Sequence, residues 1–244
     1  MRRADGNEGT PFTGPATSPR PTLVLVHGAW HGAWCWSPLA SALRKRGIET
    51  RAVELTSHGT DPAVVGDLRS DTELVRETVR AVPGPVVLLG HSYGGVVVTE
   101  AAEGLDTVSR LVYLAAFVPD KGDTMRSLTG GGDAPWIHFE NGLLSVERGW
   151  GRRLFYSGCG PRTALDAERR LLPQSAASFA QEVRGTAWRT IPSTYVVCAE
   201  DRAIAPGVQR RMGAAVGEVV ELRSGHSPFL SHPVAVADLL DSLV

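Results

Sequence analysis

The stretch "PVVLLGHSYGGVVV", residues 85–98, joins an apolar, β-branched run directly to a glycine-rich turn and then to a helix-like segment. Within it, residues 90–94 read Gly-His-Ser-Tyr-Gly, the G-x-S-x-G pattern of a nucleophile elbow. In such an elbow a tight strand-to-helix turn strains the serine backbone and exposes its hydroxyl. The alternative is a serine in an ordinary glycine turn. A strand before Ser92 and a helix after it favour the elbow.

Similar apolar runs recur along the chain and predict strands. Continuous apolar runs suit strands that are covered by helices on both faces, as in a parallel sheet. Helix-like segments separate the runs, so we predict an α/β fold: a mostly parallel sheet of about six strands with helices on both faces. The runs are "TLVLV" (22–26), "TRAVEL" (50–55), "PVVLLG" (85–90), "RLVYLAAFV" (110–118), "TYVVCA" (194–199) and "EVVELR" (218–223).

One long interval interrupts this alternation of strands and helices. Residues 119–190 hold many Gly, Pro and Trp residues and no clear strand, which predicts a cap inserted into the sheet fold. The core is then built from residues 22–118 and 191–244. Residues 1–21 are rich in Gly, Pro, Thr and Ser and have little to bury, so we predict a disordered tail.

Composition restricts the kind of partner. The 244 residues carry a formal net charge of -1 and no long Lys/Arg block, so neither nucleic acid nor an anionic membrane is expected as a partner. A small-molecule substrate is therefore the expected partner, and the sequence leaves the oligomeric state open. No run approaches the ~20 apolar residues that span a bilayer. Three widely spaced cysteines form neither a disulfide framework nor a zinc motif, and no signal peptide is evident, so we predict a cytoplasmic protein.

A serine nucleophile needs a base, and the base needs an orienting carboxylate. After an elbow of this type the chain order is Ser, then Asp or Glu, then His. Beyond Ser92, the stretch "VVCAEDRAIAP" places Glu200 and Asp201 at one strand end, and "ELRSGHSPF" places His226 at the next. Spacing alone does not decide between the two acids. Ser92 and His226 are the predicted nucleophile and base.

Five further histidines receive supporting roles or none. His27 and His31 flank the loop after the first strand, and His27 is predicted to brace it by hydrogen bonds. His91 is predicted to pack under the elbow. His138 and His232 are predicted to lie on the surface or in packing positions.

Two backbone amides are candidates for an oxyanion hole. The first belongs to Tyr93, which follows the nucleophile and opens a helix. The second belongs to Ala29 in "HGAWHGAW" (27–34), where Gly28 and Gly32 permit a tight turn. The loss of one such donor typically costs about 3–4 kcal/mol of transition-state stabilisation.

Aromatic side chains of this loop and of the cap are candidates for a substrate pocket, although packing of the loop on the sheet and of the cap on itself explains them equally well. The pocket candidates are Trp30, Trp136, Phe155 and Tyr156.

Taken together, the stretches "LVLVHGAWHGAWCW", "GHSYGGVVVTEAA", "LVYLAAFVP", "EDRAI" and "SGHSPFLSHP" resemble the α/β-hydrolase superfamily. Within it they are similar to the branch of plant methylesterases and hydroxynitrile lyases with their bacterial relatives. The resemblance covers residues 22–244 and is weakest over 119–190. It implies that Asp201 is the triad acid and that Ala29 and Tyr93 are the oxyanion donors.

The expected function is hydrolysis of a small, fairly apolar ester through a Ser-His-Asp triad and an acyl-enzyme, without a metal or organic cofactor. Two alternatives stay open: a lyase or other non-hydrolytic enzyme with the same triad, and a ligand-binding receptor with a vestigial triad. The lyases of the resembled branch carry a threonine after the first histidine and a lysine after the catalytic one. Gly28 and Ser227 stand there in this chain, which favours hydrolysis.

Overall fold

The computed structural model describes residues 20–132 and 134–244. Over these residues the chain forms strands β1 (Thr22–Val26), β2 (Thr50–Val53), β3 (Val86–His91), β4 (Val108–Leu114), β5 (Ile137–Glu140), β6 (Leu143–Val146), β7 (Gln174–Ser175), β8 (Ser193–Cys198) and β9 (Glu218–Leu222). The helices are α1 (Ser37–Arg44), α2 (Leu68–Arg80), α3 (Gly94–Ala101), α4 (Met125–Leu128), α5 (Trp150–Leu154), α6 (Pro161–Glu168), α7 (Ala176–Ala180), α8 (Pro206–Val216), α9 (Pro228–Ser231) and α10 (Pro233–Asp241).

Six strands form one parallel sheet in the order β2-β1-β3-β4-β8-β9. Each begins or ends within a few residues of an apolar run in the sequence, so the predicted α/β fold is confirmed. The largest difference is in β4, which ends at Leu114, whereas the apolar run continues to residue 118. The backbone leaves the sheet there because Ala115 adopts a positive φ of 44° and the Phe117 N–H donates to Ser92 O at 3.1 Å.

Helices cover both faces of the sheet, and β1 shows how its residues divide between them. Leu23 and Leu25 belong to one buried cluster, and Val24 and Val26 belong to the other. This division follows from the alternation of side chains along a strand. Helices α1 and α10 pack together on the first face, and α2 packs on α3 on the second.

The segment between β4 and β8, residues 119–190, is called the cap here. It contains α4 to α7 and a small antiparallel sheet in the order β5-β6-β7, so the expectation that this interval lacks strands was wrong. The hairpin turns at Asn141 (φ 50°) and Gly142 (φ 80°), and the dipeptide Asn-Gly is a strong hairpin signal in sequence. Cap side chains join the same buried cluster as α2 and α3.

The predicted tail lies mostly outside the described residues, because the description begins at Arg20. Arg20 donates to Asp241 Oδ1 at 2.5 Å and to Arg46 O at 3.0 Å, so it contacts both α10 and the end of α1. Within the described ranges, every helix is too short or too polar to cross a membrane.

Candidate active site

Ser92 lies in the sharp turn between β3 and α3 with a φ of 53°, a left-handed conformation that is uncommon for serine. Glycines make this turn possible by allowing backbone segments to touch. A Cβ atom on Gly90 would lie 2.5 Å from the Gly94 carbonyl oxygen, and one on Gly95 would lie 2.3 Å from that of Phe117. Side chains cannot fit at these positions without backbone movement. The elbow therefore has the geometry that its sequence pattern predicts.

Asp201 and His226 lie beyond β8 and β9 and form a buried pair. His226 Nδ1 donates to Asp201 Oδ2 at 2.7 Å, and Asp201 Oδ1 accepts from the backbone N–H groups of Ala203 (2.7 Å) and Ile204 (3.0 Å). The backbone carbonyl of His226 accepts a 2.9 Å bond from Nε2 of His91. The carboxylate and the imidazole are thus both fixed by buried hydrogen bonds.

Gln209 on α8 is a further polar contact of this pair that the sequence analysis did not identify. Its Nε2 donates to Asp201 Oδ2 at 2.7 Å and to Ile204 O at 2.7 Å, and its Oε1 accepts from Cys198 N at 2.9 Å. Gln209 is completely buried, and its amide satisfies three partners at once. Gln209 thus binds Oδ2 of Asp201, whereas the backbone amides of Ala203 and Ile204 bind Oδ1.

The loop after β1 orients the amide of Ala29. Gly28 O accepts from His27 Nδ1 at 3.0 Å and from His31 N at 3.3 Å. Because the peptide is trans, the Ala29 N–H points away from this carbonyl. His27 is itself anchored through Nε2, which accepts the Leu55 N–H at 3.1 Å. His27 thus braces the loop, as its position in the sequence indicates.

Trp30, the next residue, has a φ of 62° and makes all of its polar contacts with the cap. Its N–H donates to Gln174 Oε1 at 3.3 Å, its carbonyl accepts from Leu172 N at 2.9 Å, and its indole Nε1 donates to Leu144 O at 2.9 Å. A bulky residue in this region of φ typically costs about 1–3 kcal/mol, so the surrounding contacts must stabilise it.

Tyr93 is the N-cap residue that immediately precedes α3, and it is fully buried. Its hydroxyl donates to Asp71 Oδ2 at 2.9 Å. Burial raises the pKa of the Asp71 carboxyl above its ordinary value, although the hydrogen bonds that it accepts act in the opposite direction. Within residues 20–132 and 134–244, neither the Tyr93 N–H nor the Ala29 N–H donates to a carbonyl of the surrounding turns. Both amides are therefore free to bind an external acceptor.

A cavity of about 820 Å³ opens beside these groups and is lined by Ser92, His226 and Ala29. Its wall is mostly apolar and rich in aromatic side chains. Trp30 and Phe155 stack with their ring centroids 5.7 Å apart and an interplanar angle of 16°, and Trp136 meets Trp30 edge-on at 5.5 Å. The aromatic residues of the wall are Trp30, Phe117, Trp136, Phe139, Phe155 and Phe179.

Tyr156, the fourth predicted pocket residue, does not line this cavity. Its side chain is buried behind the loop after β1, where its hydroxyl lies 2.9 Å from His31 Nε2. His31 Nδ1 in turn donates to Ala29 O at 2.7 Å. The prediction for Tyr156 is corrected because its hydroxyl is used to hold His31, which places the ring in the protein interior.

The chain matches the model of the Alpha/beta hydrolase family over residues 23–239. The protein belongs to this family. The resemblance drawn from the sequence motifs is thereby confirmed for the family, and the six-stranded parallel sheet confirms its fold.

Three proteins illustrate what this chain is similar to. An alpha-hydroxynitrile lyase from Arabidopsis thaliana is 30% identical over an alignment of 252 positions, which covers 91% of this chain and 96% of the lyase. The solved structure of a pyrethroid hydrolase from Sphingobium faniae JZ-2 is 25% identical with a TM-score of 0.80, covering 91% of this chain and 96% of that one. A methylesterase protein from Arabidopsis is 26% identical with a TM-score of 0.76, covering 92% and 98%.

Four buried histidines surround the elbow of this hydrolase-family chain. Burial lowers the pKa of His27 to about 4 and that of His31 to about 3. Burial also lowers the pKa of His58 and of His91 well below the ordinary value. The lowered pKa values favour the neutral form of these imidazoles, which then act as hydrogen-bonding groups. No group of three or more His, Cys, Asp or Glu side chains in the described parts of this chain could hold a metal ion.

Proposed function

We propose that the protein is a serine esterase that cleaves a small, fairly apolar carboxylic ester through Ser92, His226 and Asp201. The observation that carries the proposal is the common cavity: the serine of a strained elbow and the histidine of a buried His-Asp pair line one apolar chamber. Relatives named as a pyrethroid hydrolase and a methylesterase support hydrolysis as the chemistry.

The proposed mechanism follows from the hydrogen bonds of the pair. Because His226 Nδ1 donates to Asp201, the neutral imidazole keeps Nε2 free to accept a proton. Ser92 Oγ attacks the ester carbonyl as its proton passes to Nε2, and the resulting imidazolium protonates the departing alkoxide. Water then attacks the acyl-enzyme with the same histidine as base. The carboxylate of Asp201 holds the imidazole and stabilises its charged form.

Charge on the carbonyl oxygen would be stabilised by the amides of Ala29 and Tyr93. Both N–H groups are free of backbone acceptors in the described turns, and the Tyr93 amide also lies at the positive end of α3. Donors that are fixed before the reaction need no reorganisation when the oxyanion forms. The rigid bracing of both loops supports this role.

The cavity wall supports an ester with apolar groups. Its aromatic side chains, Trp30, Trp136 and Phe155 among them, offer large apolar faces. Its volume of about 820 Å³ falls within the usual range for small-molecule sites. We further propose a cytoplasmic location, which the free thiols of Cys35, Cys159 and Cys198 support.

A lyase activity is the second candidate, because one relative is named an alpha-hydroxynitrile lyase. Two positions argue against it. A Cβ atom on Gly28 would lie 2.8 Å from both His91 Nδ1 and Ser92 Cβ, so the threonine expected of a lyase does not fit this backbone. Ser227, which stands where a lysine is expected, is buried and neutral. A leaving anion would therefore meet no ammonium group there.

The proposal is tested with a panel of p-nitrophenyl and methyl esters together with covalent labelling by a fluorophosphonate. Turnover that disappears in Ser92→Ala, and stoichiometric labelling of Ser92, are the expected results. Labelling at another residue, or turnover unchanged in Ser92→Ala, would contradict the proposed nucleophile. Absence of turnover across the panel with tight binding of a small ligand would favour the receptor alternative.

A further inference from the structure

Both proposed oxyanion donors are connected to one buried glutamine of the cap. Gln174 lies in β7 and is completely buried. Its Oε1 accepts the Trp30 N–H at 3.3 Å, and its Nε2 donates to Ser178 Oγ at 2.9 Å and to Ser57 Oγ at 3.4 Å. A single side chain thus contacts the loop after β1, the cap and the loop after β2.

On the side of Ala29, the contact fixes a peptide plane. His31 Nδ1 holds Ala29 O at 2.7 Å, and Gln174 Oε1 holds the Trp30 N–H of the same peptide from the other side. Rotation of that peptide would change the ψ of Ala29 and the φ of Trp30, so the loop that presents the Ala29 amide would have to rearrange. The left-handed φ of Trp30 makes the position sensitive, because this conformation is unfavourable for a bulky residue and depends on the contacts that support it.

On the side of Tyr93, the connection runs through two more groups. Ser57 Oγ donates to Asp71 Oδ2 at 2.6 Å, and the Tyr93 hydroxyl donates to the same oxygen at 2.9 Å. Asp71 Oδ1 accepts from Ser57 N and Thr56 Oγ1, both at 2.9 Å. The carboxylate therefore ties the Tyr93 side chain to the loop that Gln174 also holds.

We propose that Gln174 is a positioning residue of the oxyanion hole, through which the cap sets the orientation of the Ala29 amide and supports that of Tyr93. This inference rests on the proposed hydrolytic function. It assigns the cap a role in catalysis besides that of enclosing the substrate. The side chain of Gln174 forms its hydrogen bonds with Trp30, Ser57 and Ser178 and none with Ser92 or His226, so it acts through Trp30 and Ser57.

The test compares two glutamines of the same cap. Gln174→Met keeps the length of the side chain and removes the acceptor for the Trp30 N–H. Gln181→Met is the matched control, because Gln181 Nε2 donates to Asp67 Oδ2 at 2.7 Å and so attaches the cap to α2 away from the oxyanion loop. Gln174→Met is expected to lower kcat about 10- to 100-fold with KM within about twofold, less than the 10²–10³ that deletion of an oxyanion donor costs. Gln181→Met is expected to keep kcat within about twofold.

Equal losses in the two methionine variants, or wild-type kcat in Gln174→Met, would overturn the proposal. If Gln174→Met does not fold, Ser57→Ala, which removes the hydroxyl that joins Gln174 Nε2 to Asp71 Oδ2, is expected to lower kcat, and wild-type kcat in Ser57→Ala would then overturn the proposal.

A crystal structure of Gln174→Met provides a readout that needs no turnover. The expected change is a Trp30 φ outside the left-handed region or a rotated Ala29 amide, and an unchanged loop would contradict the proposal. Wild-type protein that turns over no ester would instead contradict the proposed hydrolytic function, so the two failures are distinguishable.

Discussion

Glu200 and Asp201 are neighbours in the chain, but Glu200 lies at the protein surface and Asp201 lies in the interior. Glu200 is exposed and accepts a 2.8 Å bond from Arg223 Nε, whereas Asp201 is buried and accepts a 2.7 Å bond from His226 Nδ1. Sequence spacing left both residues as candidates for the triad acid. The contacts favour Asp201, in agreement with what the family resemblance implies.

Asp201→Asn is therefore expected to lower kcat about 10⁴-fold, because the amide can present a donor where the imidazole N–H needs an acceptor. Glu200→Gln is the matched control and is expected to stay within about twofold of wild type. Steady-state kinetics on one p-nitrophenyl ester measure both variants. A large loss of activity in Glu200→Gln, with activity retained in Asp201→Asn, would identify Glu200 as the triad acid.

Ser92→Ala is expected to lower kcat about 10⁴- to 10⁶-fold while the protein stays folded, because the change removes only the nucleophilic hydroxyl. Activity and melting temperature are measured on the same preparation. Ser109→Ala is a suitable control, because Ser109 lies beside Val86 at the end of β3 that is away from the elbow. Residual activity above about a tenth of wild type would mean that Ser92 is not the nucleophile.

Gln209→Met is expected to reduce both kcat and stability. Loss of the donor to Asp201 should lower kcat about tenfold with little change in KM, and the Cys198 N–H, left buried without its acceptor, should cost about 1–3 kcal/mol of unfolding free energy. Urea denaturation and kinetics test the two effects separately. Arg211→Gln, a change on the exposed side of α8, should alter neither kcat nor stability. An unchanged kcat in Gln209→Met would show that Gln209 does not support Asp201.

Stability is expected to fall as the pH decreases from about 7 to about 4. Burial lowers the pKa of His27 to about 4 and that of His31 to about 3, whereas histidines of the unfolded chain titrate near the ordinary value of about 6.5. Between these values the unfolded state binds protons that the folded state does not. Each histidine then contributes a slope of about 1.4 kcal/mol per pH unit, with stability rising as the pH rises.

Urea titrations at several pH values measure this slope. His27→Gln should reduce it by about 1.4 kcal/mol per pH unit. His138→Gln is the control, because the His138 side chain is 54% exposed in β5, and it should leave the slope unchanged. A slope that does not respond to His27→Gln would indicate that His27 is protonated in the folded protein.

Cyanohydrin cleavage is expected to be absent. Gly28 leaves no room for a threonine on the present backbone, and Ser227 supplies no positive charge for a departing cyanide. The wild-type protein is incubated with mandelonitrile and, in parallel, with aryl and methyl esters. Release of benzaldehyde that depends on Ser92, without turnover of any ester, would assign the protein to the lyases.

The centre of the sheet could be predicted from the sequence because its strands are buried on both faces and therefore read as unbroken apolar runs. Every residue of β1, β3 and β8 is buried. The cap strands escaped prediction because they are short and half-exposed: β5 carries Phe139 at 63% exposure, and β7 has only two residues. The Asn141-Gly142 turn was the available signal for the hairpin.

The candidate triad could be predicted because an elbow has a local pattern and because acid and base follow strands in a fixed order. Gln174 and Gln209 could not, since a single polar residue acquires its role only when distant segments meet. Tyr156 also shows that a residue type does not determine a role without the tertiary contacts. Its aromatic character suggested a pocket wall, but its hydroxyl bonds to His31, 125 positions earlier in the chain.

The contacts of Trp30 also connect the loop that carries Ala29 to late-joining parts of the chain. Its partners Leu144 and Gln174 follow it by 114 and 144 positions, so the loop can reach its native shape only when those distant segments have docked. Contacts of such long range form slowly, because the intervening chain must first be ordered. A partly refolded molecule whose cap has not docked can therefore possess the sheet and the serine elbow while the proposed Ala29 donor still lacks its native orientation.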